Sequence, residues 1–117
     1  MAERAEYDLV YVDKQLVIRR TSARGGICVT GVIDLFNVEA FARSLNMQLD
    51  GVGDLHVDLS RLEFCDVSGI RALVTAAERL DDGRRLVLHG LPRQLQRVMT
   101  VVGWTNLPGL VIDESDV

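Results

Sequence analysis

The chain has 117 residues, a common size for one domain; 48% are hydrophobic and 26% charged, close to the globular average. These proportions exclude a disordered tail, a collagenous repeat and a disulfide-dense miniprotein. With 13 Lys and Arg against 17 Asp and Glu, the net charge of −4 argues against a nucleic-acid binder, which must neutralise phosphates, and for a protein or small-molecule partner.

Taken in chain order, residues 1–8 are polar, and Met1–Glu6 lack the apolar core of a signal peptide. A single domain is expected over 9–113, with a second polar terminus at 114–117. Tyr7–Val12 has strand composition. Gln15–Arg19 and Gly26–Ile33 read as strands joined by a Thr21–Gly26 loop, hence a hairpin, with Arg19, Arg20 and Arg24 charging its tip. Asn37 is placed to cap a helix whose Val38, Phe41, Leu45 and Leu49 form one apolar stripe.

Leu55–Leu59 alternates with period two and reads as a strand. An apolar turn through Leu62–Cys65 then leads to Asp66–Gly69, and a second helix is expected from about Gly69, with Ile70, Leu73, Val74 and Ala77 on its stripe. Gly83 stands where a left-handed helix cap is expected, and Arg85–His89 is the next strand. Pro92 suits the first turn of a third helix, which buries Leu95, Val98, Met99 and Val102 and stops at Gly103. Arg93 and Arg97 fall on its solvated face. Leu110–Ile112 fits either a closing strand or a helical turn. The order predicts an α/β fold: a mixed sheet with an N-terminal hairpin, right-handed parallel crossovers and about three to four packed helices.

No apolar run approaches the roughly 20 residues of a membrane span. The two cysteines, Cys28 and Cys65, fit a reducing compartment, which points to the cytoplasm. They read as buried, inert thiols; a disulfide needs their Cα atoms within about 7 Å. Phosphate loops, dinucleotide fingerprints, nucleophile elbows and zinc-protease motifs are all missing. His56 and His89 lie inside predicted strands, where histidines are usually packed or surface residues and not bases or ligands. No catalytic residue, cofactor or metal is therefore expected. A hydrolase with Ser68 or Cys65 as nucleophile lacks an evident base.

The informative stretch is Asp66-Val67-Ser68-Gly69, between a strand and a helix. Asp66 or Ser68 can cap that helix. A hydroxyl there is also open to a kinase, and the helix N-terminus tolerates the added phosphate charge. Asp66, and Asp34 if the fold brings it near, make the patch acidic, so a phosphate deepens negative charge instead of meeting a cation. Arg71 reads as a solvated helix charge or a partner contact.

An ordered set of segments resembles a STAS domain of the anti-sigma-factor-antagonist type. The set runs Gly31-Val32-Ile33-Asp34, the Asn37–Leu49 helix, Val57–Ser60, Leu62–Gly69, Leu86–Leu88, Gly90–Pro92, Leu95–Met99 and Val102–Trp104, within about residues 14–113. The resemblance implies that Ser68 is the phosphoacceptor and Asp66 its acidic neighbour. The motif position between them, often Ser or Thr in such domains, is Val67, which leaves Ser68 the only hydroxyl. It further implies a partner surface of Asp34, Asp66, Val67, Gly69, Ile70 and Arg71. The partner is an anti-sigma serine kinase with an ATPase-type fold, reset by a serine phosphatase, without direct nucleic-acid or membrane contact. Dimerisation stays open. The alternative is a ligand-sensing or scaffold STAS domain in which Ser68 is only a helix cap.

Overall fold

A computed structural model describes residues 8–21, 25–51 and 53–114. Ser22, Ala23 and Arg24 of the hairpin tip, and most of both polar termini, lie outside the described residues. Six strands form one sheet in chain order: β1 (Leu9–Val12), β2 (Leu16–Thr21), β3 (Gly26–Ile33), β4 (Leu55–Cys65), β5 (Leu86–His89) and β6 (Leu110–Asp113). The first three are antiparallel; β3 to β6 run parallel. The helices that lie wholly within the described residues are α1 (Val38–Leu49), α2 (Val67–Arg79) and α3 (Arg93–Val101), with a short 3₁₀ turn over Trp104–Asn106 before β6. This is the mixed α/β sheet with the expected hairpin, and Leu110–Ile112 resolves as its edge strand.

The core is aliphatic. Ile18, Ile27, Val29, Val57, Leu59, Leu86 and Leu88 are buried with Phe41 and Leu45 of α1 and Ile70 and Leu73 of α2. Burying such side chains is worth about 1.5–3 kcal/mol each, so this layer dominates the stability.

Four local expectations need correction. Leu62–Cys65 is not a turn, because β4 continues through it to Cys65, paired with β3 to its end. From Cys28 to Ile33, β3 advances five residues while β4 advances seven, from Asp58 to Cys65, so irregularities absorb two extra residues. The second helix starts at Val67, two residues before Gly69. Gly83 has φ +77 but is no helix cap, since α2 already ends at Arg79 with Leu80 extended. Val102 is half exposed rather than part of the α3 stripe, which buries Met99 fully and Leu95 and Val98 partly. Gly103, with φ +80, does follow the end of α3.

Candidate functional site: the α2 N-terminus and its apolar rim

Parallel pairing sets Val32 opposite Phe64 and Ile33 opposite Cys65, so Asp34 and Asp66 leave neighbouring strands side by side. The Asp66 N–H donates to the Ile33 carbonyl at 3.1 Å, which ties the two loops together. Asp66 then turns the chain into α2. Its backbone is extended (φ −83, ψ 178) and its Oδ1 accepts from the Gly69 N–H at 3.3 Å. Asp66 is therefore the N-cap, and Ser68, the second residue of the helix, is not. The Ser68 hydroxyl donates to the same Asp66 oxygen. Ser68 is partly exposed, and its hydroxyl is not the group that caps the helix.

Gly69 and Ile70 do not belong to the surface. Ile70 is buried, and a Cβ on Gly69 would stand 2.4 Å from Cys65 Sγ and 2.9 Å from Ile33 Cγ2. That close approach lets α2 sit down on the strand ends. Both residues support the site from beneath, contrary to their expected place in the partner contact. Val67 is exposed.

Asp34 builds the other wall. Its Oδ1 accepts from the Phe36 N–H at 2.9 Å and from Gln15 Nε2 at 3.0 Å. Asn37 is the residue before α1, yet its side chain does not cap the helix. Its Oδ1 accepts from the Asp34 N–H at 3.0 Å and its Nδ2 donates to the Val32 carbonyl at 2.9 Å. This buried amide closes the loop on itself and turns Leu35 and Phe36 outward. Their exposures are 79% and 68%, and those of Phe64 and Val67 are 56% and 53%, so four large apolar side chains stand in water at one end of the sheet. The sequence carried a signal for the first pair, since Leu35-Phe36 precedes the α1 stripe and belongs to no period. For Phe64 the in-out alternation had already failed.

Two cations at this end rest on aromatic rings. Lys14 Nζ lies 5.6 Å from the Phe36 ring centroid, and the Arg71 guanidinium carbon lies 5.8 Å from that of Trp104. Arg71 is exposed but does more than face solvent.

Cys65 is buried, and its Sγ donates to the Asp66 carbonyl at 3.3 Å. Burial, then the Asp66 charge, pushes its thiol up to about 12, and burial also raises Cys28. Both thiols stay protonated at neutral pH and make poor nucleophiles. Cys28 pairs with Asp58 while Cys65 pairs with Ile33, five β3 residues further on. That is roughly 17 Å of strand, too far for a disulfide.

The histidines occupy the far part of the sheet. His56 Nδ1 is 2.8 Å from His89 Nε2, and His89 Nδ1 is 3.0 Å from Asp113 Oδ2. His89, buried and opposite Asp58 in the register, is again roughly 17 Å along the sheet from Cys65. The histidine pair thus ties β4, β5 and β6 together and cannot serve as a base for Ser68 or Cys65. Among the described residues no cluster of His, Cys, Asp and Glu is arranged to hold a metal ion, and no helix is long and apolar enough to cross a membrane.

Residues 16–112 match the family model described as "Mlab, STAS domain". The chain belongs to the STAS-domain family. Solved structures of similar fold include an anti-sigma factor antagonist from Mycobacterium paratuberculosis, with TM-score 0.69 and 22% identity over 90% of this chain and 92% of that one. The anti-sigma factor antagonist SpoIIAA in its unphosphorylated form gives 0.62 at 16% identity, over 86% and 88%. The Bacillus cell fate determinant SpoIIAA in the phosphorylated form gives 0.57 at 16%, over 86% and 93%. A search of curated proteins found no match. At these identities the likeness is one of fold.

Proposed function

We propose that this STAS domain is a phosphorylation-switched anti-sigma-factor antagonist. Unphosphorylated, it binds an anti-sigma serine kinase of ATPase-type fold through the apolar rim around Ser68, and the sigma factor is released. The kinase then transfers the γ-phosphoryl group of ATP to Ser68. The Oγ–P bond forms as the bond to ADP breaks, and the hydroxyl proton leaves to a base on the kinase. The phosphoserine dianion weakens binding, and a serine phosphatase restores the hydroxyl by hydrolysis. The domain acts as substrate and binding module, with no catalytic group of its own.

One observation carries this reading. The Ser68 hydroxyl heads α2 without being its cap, at the end of the sheet where Leu35, Phe36, Phe64 and Val67 are exposed. Apolar exposure gathered at one end of a sheet marks interaction surfaces, and a dianion set among apolar contacts opposes them by its desolvation cost. The similar folds of antagonists captured in unphosphorylated and phosphorylated forms support it further.

The test is a pull-down from native-host lysate with wild-type, Ser68→Ala and Ser68→Glu baits. Retention of an ATPase-fold serine kinase by the first two and its loss from the third is the expected result. If all three baits hold the same proteins, the domain is a ligand sensor or scaffold and Ser68 is no switch.

A further inference from the structure

Arg71 stands three residues after Ser68 on α2, and residues so spaced are neighbours on a helix surface, their Cβ atoms about 5–6 Å apart. Helical side chains lean towards the N-terminus, so the long Arg71 side chain reaches back over the turn that holds Ser68. Acid first and base later is also the favourable order for such a pair. In the unmodified chain the guanidinium is instead parked over the Trp104 ring, at 5.8 Å, a weak contact at an exposed site.

Phosphorylation changes both sides of that balance. The Ser68 hydroxyl now donates to Asp66 Oδ1, and once Oγ is esterified it has no proton to donate. The phosphate and the Asp66 carboxylate then repel, while that carboxylate stays held by the Gly69 N–H. The phosphate is driven off the Asp66 side towards the next turn, where the nearest cation on α2 is Arg71. A guanidinium forms paired, charge-assisted hydrogen bonds to phosphate that are stronger than its contact with an indole face.

We propose that Arg71 is the phosphate-binding residue of the switch, leaving Trp104 for the Ser68 phosphate and so passing the modification to the turn after α3. Trp104 opens the 3₁₀ turn between α3 and β6, separated by Gly103 from the exposed Val101 and Val102. The modified site thereby becomes a phosphate paired with Arg71 but still net negative at α2, and a bared indole beyond α3, two changes instead of one. This inference rests on Ser68 being the phosphoacceptor.

The full chain with phosphoserine installed at position 68 by an expanded genetic code tests it without any kinase. Trp104 is the only tryptophan, so emission and acrylamide quenching report on it alone. The phosphorylated chain is expected to show a shifted Trp104 emission with greater quenching, and a shifted Arg71 Nε–H signal in NMR. In Arg71→Gln the phosphate is expected to produce no Trp104 response, and Arg71→Lys a partial one. Identical Trp104 signals with and without phosphate, or a full response surviving in Arg71→Gln, would overturn the proposal. If the Trp104 response holds but phosphoserine leaves kinase capture unchanged, the antagonist reading fails and the Arg71 site stands.

Discussion

The parallel strands are finished in opposite ways at their two ends. Where β4 and β5 begin, Arg84 donates from Nη2 to the Leu49 and Gly51 carbonyls at 2.5 and 2.8 Å, and from Nε to the Gly53 carbonyl at 2.9 Å. Arg85 pairs with Asp54 at 3.1 Å beside it. One guanidinium thus satisfies a carbonyl at the end of α1, where the helix supplies no intrahelical donor, and two in the following loop. Where β3 and β4 end, the Asp34 loop and the Asp66 cap satisfy their own backbone, and Leu35, Phe36, Phe64 and Val67 face outward. One end is sewn shut with polar groups for stability. The other satisfies its backbone locally yet leaves apolar surface uncovered, the arrangement expected of a surface kept for a partner.

The largest expected effect lies beneath the open end. Gly69→Ala places a methyl against Cys65 Sγ and Ile33, and is expected to cost about 1–3 kcal/mol of unfolding free energy in urea. In a Cys65→Ala background the added cost should shrink, a coupling of about 0.5–3 kcal/mol. Equal costs in both backgrounds would mean that the close approach is not what limits this position.

The contrast between the ends sharpens with two single variants. Arg84→Ala is expected to lose about 1–3 kcal/mol, because carbonyls at the closed end lose a charged donor. Leu35→Ser is expected to stay within about 0.5 kcal/mol of wild type while reducing kinase capture. A Leu35→Ser chain as unstable as Arg84→Ala would show the open end to be part of the core after all.

The cap gives a smaller difference. Asp66→Ala should lower stability by about 1 kcal/mol, the usual value of an N-cap, with Ser68→Ala costing clearly less. The reverse order, read by thermal unfolding, would return Ser68 to a structural role.

The smallest effect is electrostatic. Burial works to raise the Asp13 carboxyl, but hydrogen bonds from the Gln15 N–H, the Tyr11 hydroxyl, the Asn37 side chain and the Leu16 N–H outweigh it and hold the group below its ordinary 3.8. The folded chain therefore favours ionised Asp13. That contribution is present above 3.8 and is lost as pH falls through the lower folded value. Asp13→Asn should flatten this part of the acid-unfolding curve, and an unchanged curve would remove Asp13 from the account.

Much of the fold was legible because its signals are local. The hairpin of β2 and β3 follows from two strand-like runs around a glycine-containing loop, and the α1 stripe from Val38 to Leu49 keeps its period throughout. The second half of β4 was not legible. Buried Leu59, Leu62 and Cys65 recur every third residue there, because the two extra residues break the alternation that identifies a strand. The same break hid Phe64, the apolar residue nearest the site on that strand.

By itself the sequence determined the α/β order, the aliphatic core and a serine at the head of a helix, all properties of residues close together in the chain. Tertiary structure alone decided that Asp66 and not Ser68 is the cap, that Gly69 and Ile70 are covered, and that Arg71 lies over Trp104. Each depends on how far one strand or helix is displaced against another. That register is set by packing between residues far apart in sequence, which no local period records.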